Sequence, residues 1–148
     1  DDEQFADSFI MRYYSRRRML TAEAEGRMAA MLHLLPFRTE LGRTTYIYGV
    51  ATDPAFRGRG LASQLMREAM RLIAERGDDA ALLIPTPGKE WLREFYGRFG
   101  FAGDVPARFV SADRFDFGTG DAAADRAMVW RRDSSVPLPE QLTASWHS

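Results

Sequence analysis

The spacing of hydrophobic positions changes several times along the chain, and each change predicts a new element. Apolar residues at near-helical intervals in "EQFADSFIMRYYS" predict a short amphipathic helix over residues 3–14. Two β-compatible runs follow at 18–24 and 27–35, and Gly26 between them suits a hairpin turn because glycine accepts a positive φ. Pro36 is expected to end the second strand, and "FRTELGR" is expected to form a loop.

Later segments predict both strands and helices. Aromatic and β-branched residues in "TTYIYGVAT" predict a strand at 44–52. The clearest helix covers 60–76, where apolar residues recur on one face, and Gly77 stands where that helix would stop. The remaining pattern predicts, in order, a strand at 80–85, a helix at 88–99, and strands near 107–116 and 126–132. This order predicts an α/β fold, a three-layer α/β/α sandwich around a mixed, mostly antiparallel sheet.

The segment "SSVPLPEQLTASWHS" follows the last of these strands, and its prolines favour an extended chain. We therefore expect one domain over residues 1–133 and an extended tail over residues 134–148. The tail carries Leu138, Leu142 and Trp146, an apolar set too large to leave in water. It is expected to pack on the domain, or on a second copy of the chain in a homodimer.

Composition narrows the classes of function. The chain has 148 residues, 45% hydrophobic and 28% charged, which suits one soluble globular domain. Its net charge of −1 gives no global field toward nucleic acid or an anionic membrane, so neither partner is expected. Cysteine is absent and the imidazoles are His33 and His147, which disfavours disulfides, metal sites and a cysteine nucleophile. No apolar run reaches the roughly 20 residues that span a bilayer, and "DDEQFADS" is acidic where a secretory signal would be basic, so we expect a cytoplasmic location.

The stretch "ATDPAFRGRGLASQ", residues 51–64, places glycine and arginine between a predicted strand and a predicted helix. Gly58 and Gly60 remove the side chains that would keep a bulky anion from the backbone, while Arg57 and Arg59 add charge at the rim. Unpaired N–H groups at the helix start would face that anion, so phosphate or pyrophosphate is the natural ligand. A glycine-rich turn also caps helices without binding anything, and spacing alone does not decide between these interpretations.

Two other phosphate-binding motifs do not fit this stretch. A P-loop requires a lysine followed by serine or threonine after the glycines, and no such pair occurs there. A dinucleotide fingerprint requires glycine or alanine at the place of Ser63. Its strand would also open a βαβ unit, whereas the strand here is the third in an antiparallel-looking run.

Two segments resemble the GCN5-related N-acetyltransferase (GNAT) family. The run from Arg57 to Ala62 matches that family's pyrophosphate loop, R/Q-x-x-G-x-G/A. The run "FYGRFGF", from Phe95 to Phe101, is similar to the family's F-Y-x-x-x-G-F segment. The two motifs stand in the family's order and at a fitting distance, and the resemblance extends over about residues 3–132. The phrase "LLPFRT…YIYGVATDP" is similar to the branch of Eis-type acetyltransferases.

The resemblance implies roles for specific residues. It implies that the strand before the loop is splayed from its neighbour, so that its backbone pairs with the pantetheine arm of acetyl-CoA while the loop amides hold the pyrophosphate. The residues so assigned to this cosubstrate are Val50, Ala51, Thr52, Arg57, Gly58, Arg59, Gly60, Leu61 and Ala62. It also implies that Tyr96 protonates the departing CoA thiolate, since a phenol of pKa near 10 is protonated at neutral pH. A core aromatic on an amphipathic helix is the alternative interpretation of Tyr96.

The general base is not fixed in sequence within that family. Glu23, His33 and Asp53 are the candidates here, and Glu23 is the one assigned to the site. His33 alternates with Met31 and Leu35, which favours a packed sheet histidine over a catalytic one.

Two further features depend on the resemblance. Tyr46 and Tyr48 share one face of their strand, where they either line the acceptor pocket or pack in the core. The family normally opens with a strand and a helix, and residues 1–14 are not expected to supply that strand. The domain is therefore expected to be N-terminally incomplete.

The resemblance implies an acetyl-CoA-dependent N-acetyltransferase, in which a primary amine attacks the thioester directly in a ternary complex. The alternative is a non-catalytic acyl-CoA-binding sensor or docking module on the same fold. The acceptor is expected to be a small molecule or an exposed amine. The segments expected around it carry both signs of charge, which does not favour a polycationic acceptor.

Overall fold

The computed structural model describes residues 9–24, 26–110 and 125–147. The chain divides into two compact units. The first comprises Asp1–Leu35 and Ile47–Ile73, and the second comprises Pro36–Tyr46 and Ala74–Ser148.

The first unit contains β1 (Ile10–Tyr14), β2 (Met19–Ala24) and parts of β3 (Arg27–Thr39) and β4 (Gly42–Thr52). β1 pairs antiparallel with β2, with Ile10 opposite Glu23. β2 pairs antiparallel with β3, with Met19 opposite His33. Gly26 lies in the turn between β2 and β3 at a φ of +72°, so the expected hairpin is confirmed.

The helix predicted over residues 3–14 is wrong in its described part, because Ile10–Tyr14 is a strand. Residues 3–8 of that prediction lie outside the described residues. Exposed and half-buried side chains alternate along β1, which is a period of two rather than a helical period. A partner strand stabilises β1, and a local window of sequence does not contain that partner. Residues 1–14 therefore include a strand, Ile10–Tyr14.

β3 continues through Pro36 to Thr39, so the prediction that Pro36 ends this strand is wrong. Proline lacks an N–H but keeps its carbonyl, and Pro36 O accepts the His147 N–H at 3.0 Å. Phe37 lies opposite Trp146 in the pairing of β3 with the last strand. A segment distant in sequence therefore keeps this part of the chain extended, and the predicted "FRTELGR" loop shortens to a tight turn.

The second unit contains the start of β4, β5 (Ala80–Leu83), β6 (Ala102–Val110), β7 (Arg126–Arg131) and β8 (Leu142–Trp146). Within it the strand order is β4-β5-β7-β6-β8. β4 is parallel to β5, β7 is antiparallel to both β5 and β6, and β8 is parallel to β6. The strands predicted near 80–85, 107–116 and 126–132 are confirmed, although residues 111–116 lie outside the described residues.

The tail contains a strand that the sequence pattern did not predict. Leu142 of β8 is fully buried. The Trp146 ring lies 5.5 Å from the Phe37 ring, and Phe37 also contacts the rings of Phe109 and Tyr46 at 5.6 and 6.0 Å between centroids. All three contacts are edge-on arrangements, which aromatic rings prefer. The tail therefore packs within an aromatic cluster of the second unit.

Two α-helices lie at the predicted positions, α1 (Leu61–Arg76) and α2 (Glu90–Gly97). The buried face of α1 consists of Leu61, Leu65, Met66, Ala69 and Ile73. Each large apolar side chain buried in this way stabilises the fold by about 1.5–3 kcal/mol. Gly77 follows α1 at a φ of +76°, as expected for a residue that ends a helix. The α/β class and the mixed, mostly antiparallel sheet are confirmed.

We expect Leu142→Ala to lower the free energy of unfolding by about 2–5 kcal/mol, because it removes a fully buried side chain from β8. Ser145→Ala changes an exposed position of the same strand and should alter that free energy by less than about 0.5 kcal/mol. Urea unfolding followed by circular dichroism measures both variants. Two equally small effects would contradict the packing of β8 into the second unit.

Candidate active site

The loop that follows β4 is anchored at its first residue. Asp53 donates its N–H to Ala29 O at 2.8 Å, and its Oδ1 accepts the Ala55 N–H at 2.9 Å. Its Oδ2 lies 3.4 Å from Nη2 of Arg27. These contacts start a short 3-10 turn, Pro54–Phe56, in which the Phe56 N–H donates to Asp53 O. Asp53, one of the candidate bases, thus has both carboxylate oxygens engaged in holding the loop.

The buried side chain of Phe56 anchors the loop. Its side chain is 6% exposed, and its ring meets the Phe9 ring edge-on at 5.7 Å. The guanidinium carbons of Arg27 and Arg59 each lie 5.2 Å from the Phe56 ring centroid, within the range of a cation–π contact. Phe56 and Arg27 are not among the site residues expected from the sequence, although a single aromatic residue in a polar loop is a signal for an anchor.

The two glycines of the loop adopt backbone angles that favour glycine. Gly58 has a φ of +77° and Gly60 a φ of +72°. A Cβ added at Gly58 would meet nothing within 4 Å, so the space above this residue is open. The helical bonds of α1 begin with the Gln64 N–H donating to Gly60 O at 3.1 Å. The N–H groups from Leu61 to Ser63 therefore have no acceptor within the helix, as in the first turn of any α-helix.

The charge around this helix start is positive. The first turn of α1 contains no acidic residue, so no side chain there offsets the partial positive charge of the helix dipole. Arg57 and Arg59 are both exposed beside it. The arrangement suits an anion with several oxygens.

β4 leads into the loop through an irregular residue, Gly49, whose φ is +68°. A glycine with this angle inside a strand marks a local bend or bulge. The register of β4 with β5 covers Thr44–Tyr46, and β4 continues to Thr52. Val50 and Ala51 precede Thr52 at this end of the strand. The structure thus places all nine residues expected to hold the cosubstrate on β4, the loop and the start of α1.

Tyr96 belongs to the second unit and lies in the last turn of α2. Its side chain is 8% exposed, and burial raises the pKa of the phenol above its ordinary value. The phenol therefore carries its proton throughout the neutral range. The Phe99 N–H donates to Tyr96 O at 3.0 Å, which fixes the end of the helix.

Glu23 is held by three neighbours on β1 and β2. Its Oε2 accepts hydrogen bonds from the Thr21 and Tyr14 hydroxyls, each at 2.7 Å, and Nε of Arg12 lies 3.5 Å from Oε1. The Thr21 bond first, and the Tyr14 bond next, lower the pKa of Glu23. A carboxylate with a lowered pKa accepts protons less readily, and the role of Glu23 as a base stays a prediction.

His33 and the two tyrosines of β4 occupy distinct environments. His33 Nδ1 is buried, and no residue in the described ranges forms a hydrogen bond with it. The Tyr48 ring lies 6.5 Å from the imidazole, and 42% of Tyr48 is exposed. Tyr46 is 4% exposed and packs 5.0 Å from the Phe109 ring. Tyr46 is therefore a core residue of the second unit.

The sequence profile of a family described as "Acetyltransferase (GNAT) domain" matches residues 1–103, which include both the glycine loop and Tyr96. The chain belongs to this family. The match confirms the resemblance drawn from the segments around Arg57–Ala62 and Phe95–Phe101.

Solved structures of other GNAT proteins share the fold of this chain. One is the GNAT family N-acetyltransferase YhbS from Escherichia coli in complex with CoA, with 21% sequence identity and a TM-score of 0.61 over 87% of this chain. Another is a GNAT family acetyltransferase from Brucella melitensis in complex with acetyl-CoA, with 17% identity and a TM-score of 0.58 over 90% of this chain. This chain spans 66% of the length of the first protein and 70% of the second.

A likeness to the Eis-type branch is limited to the fold. Eis1 from Mycobacterium abscessus is 22% identical, with a TM-score of 0.50 over 60% of this chain and 23% of its own length. Membership of that branch stays a prediction. No curated protein shows a significant match to this GNAT chain. Within the described ranges, each helix is too short or too polar to cross a membrane.

We expect acid to destabilise the wild-type chain more steeply than the Glu23→Gln variant. Because the folded-state pKa of Glu23 lies below its ordinary value of 4.5, its contribution to stability is complete above about pH 4.5. That contribution is lost as the pH falls through the lowered folded-state pKa, and glutamine has no such ionisation. Thermal unfolding midpoints measured between neutral and acidic pH test this, with Glu140→Gln at an exposed position as the control. Parallel curves for Glu23→Gln and the wild type would contradict the expectation.

Proposed function

We propose that the chain is an acetyl-CoA-dependent N-acetyltransferase, which transfers an acetyl group to a primary amine by direct attack in a ternary complex. The observation that carries the proposal is the loop after β4, where Gly58 and Gly60 keep the backbone bare at the positive end of α1. The family to which the chain belongs is one of acetyltransferases. GNAT proteins of similar fold bind CoA or acetyl-CoA, which supports the choice of cosubstrate.

The loop fits the pyrophosphate of acetyl-CoA in both shape and charge. We assign the N–H groups from Gly58 to Ala62 as donors to its oxygens, because they stand at or before the first turn of α1. The Arg57 N–H donates to Pro54 O at 3.5 Å, so Arg57 is assigned a role through its side chain. The open space at Gly58 admits the two phosphates close to the backbone. Arg57 and Arg59 contribute charge from the rim, and the Phe56 ring holds the Arg59 guanidinium in place.

The end of β4 suits the extended pantetheine arm. We assign the backbone of Val50, Ala51 and Thr52 to hydrogen bonds with the amides of that arm, in the manner of an added strand. The bend at Gly49 turns this end of β4 away from a regular strand path, which favours such a role.

The chemistry requires position, a proton donor and a proton acceptor. Acetyl-CoA supplies an activated acetyl thioester, and the amine nitrogen forms the new bond to the acetyl carbon while the bond to sulfur breaks. The nitrogen loses one proton to a general base, for which we propose the Glu23 carboxylate, and that proton replaces the one that the acid gives to sulfur. We assign Tyr96 as the acid that gives its Oη proton to the departing thiolate, because its raised pKa keeps the phenol protonated at neutral pH. An acid in this role contributes about 10²–10⁴-fold to the rate.

The acceptor is proposed to be a small molecule or an exposed primary amine of a larger one. The net charge of −1 provides no electrostatic field that would attract nucleic acid or a membrane surface, so neither is proposed as a partner. We propose that the reaction takes place in the cytoplasm.

We expect Gly58→Val to lower acetyl-CoA affinity at least about tenfold, because its side chain would stand between the phosphates and the backbone. Gly77→Val is a matched control, since Gly77 has nearly the same φ, +76° against +77°, and equally open surroundings at the other end of α1. Both variants should lose similar stability from the forced φ. Isothermal titration calorimetry measures the affinities, and an equal loss in both variants would count against a pyrophosphate site at the loop.

We expect Tyr96→Phe to reduce kcat by about 10²–10⁴-fold while acetyl-CoA affinity changes little. CoA release with a panel of primary alkylamines and amino acids measures turnover. Tyr13→Phe removes a phenol elsewhere and should leave turnover unchanged. An unchanged rate in Tyr96→Phe would make this residue a packing residue only. Tight acetyl-CoA binding without turnover of any amine would favour the alternative, a non-catalytic acyl-CoA-binding module.

A further inference from the structure

We propose that a polar cavity beside α2 binds the anionic group, a carboxylate or a phosphate, of the acceptor amine. The proposal rests on the N-acetyltransferase function proposed above. The cavity lies in the second unit and has a volume of about 180 Å³. Its charged lining residues are Lys89, Glu90, Arg93, Asp104 and Arg126.

Two of these cations are held by an irregularity in β6. The register of β6 with β7 shifts between Ala102 and Val105, and Gly103 within this bulge has a φ of +87°. Arg93 donates from Nη1 to Gly103 O and from Nη2 to Asp104 Oδ1, each at 3.0 Å. Arg126 donates from Nε to the same Oδ1 and from Nη2 to Asp104 O, each at 2.8 Å. Both guanidinium groups are therefore fixed in place by the bulge.

The fixed guanidinium groups retain donors for a ligand. A guanidinium has five N–H donors, and the bonds to the bulge account for two on each arginine. Rigid, planar donors bind carboxylate or phosphate in bidentate geometry with little loss of side-chain freedom. Arg93 and Arg126 thus present preorganised edges to the cavity that Lys89 also lines.

The charge balance of the cavity favours an anion. Three cations face two carboxylates, and the Asp104 carboxylate is already paired with both arginines. The hydrogen bond from Arg126 first, and the charge of Arg93 next among the neighbours, lower the pKa of Asp104, so that carboxylate is ionised at neutral pH. One positive charge remains in excess, and an incoming oxyanion would offset it.

The cavity is large enough for a carboxylate or a phosphate group. Its volume of about 180 Å³ is many times the roughly 10–15 Å³ that one water molecule requires.

The cavity stands on the same helix as the proposed acid. Arg93 and Tyr96 are three residues apart on α2, so they share a face and are separated by about 4.5 Å along the axis. An anion held by Arg93 would leave the amine of a short acceptor within about one helical turn of this position. The structure therefore favours acceptors whose amine and anionic group are a few bonds apart.

A binding experiment without turnover tests the cavity itself. We expect γ-aminobutyrate and inorganic phosphate, titrated at constant ionic strength, to shift the backbone amide NMR signals of residues 88–93, Asp104 and Arg126. Lys89→Gln should weaken this binding at least about fivefold without touching the bulge, and Arg126→Gln should weaken it further. Arg108→Gln removes the same charge from an exposed position of β6 and should leave binding unchanged. No localised shifts at about 10 mM of either compound would overturn the proposal.

A turnover experiment with matched amines connects the cavity to the reaction. Wild-type kcat/KM should favour γ-aminobutyrate over butylamine at least about tenfold, because butylamine lacks the carboxylate. Lys89→Gln should reduce this preference by about tenfold and leave acetyl-CoA affinity within about twofold. A loss of acetyl-CoA affinity with an unchanged preference would overturn the proposal and assign the cavity to the cosubstrate. Turnover of neither amine, with the anion still bound in the cavity, would instead contradict the proposed function.

Discussion

The N–H groups in the first turn of α1 have no acceptor within the helix, because no turn precedes them. They need an acceptor from outside the helix, and the surrounding part of the first unit keeps them accessible to one. These N–H groups stay accessible because the residues before them, Gly58 and Gly60, have no side chains and adopt a positive φ. A bare turn of this kind needs support from elsewhere. Asp53 and the buried Phe56 provide that support, so the exposed backbone of the loop is anchored by fixed side chains.

Much of the fold follows from local patterns in the sequence. Hydrophobic periodicity predicted β4 and α1, and glycines marked the β2–β3 hairpin at Gly26 and the end of α1 at Gly77. These features were predicted at nearly their observed bounds. The end of β3 and β8 depend instead on pairing between distant segments, and β1 depends on pairing with the strand that follows it. The aromatic residues of β1 fit a helical spacing as well as a strand, and the pairing with β2 decides between them. Pro36 was misleading for the same reason, because its carbonyl and not its missing N–H meets the partner strand.

The residues of the candidate site differ in the same way in how well the sequence predicted them. The cosubstrate loop is a continuous segment with a family motif, so its residues were identified from the sequence. The base was not fixed in that way, because the hydrogen-bond partners that distinguish Glu23, His33 and Asp53 are supplied by the fold. The cavity beside α2 was equally invisible, because Arg93, Asp104 and Arg126 meet only when a bulge in β6 brings them together.

The position of β8 in the second unit has a consequence for biosynthesis. This strand pairs with β6 and with the end of β3, so one sheet joins residues made early and late by the ribosome. The first unit has all its residues once Ile73 has emerged, whereas the second waits for Trp146. Until then Phe37 lacks the indole of Trp146 that packs against it. The contact joins residues far apart in the sequence, and such contacts form slowly because a long segment of chain must close first. We therefore expect the first unit to become ordered during translation before the second, which completes its sheet only once β8 has emerged from the ribosome.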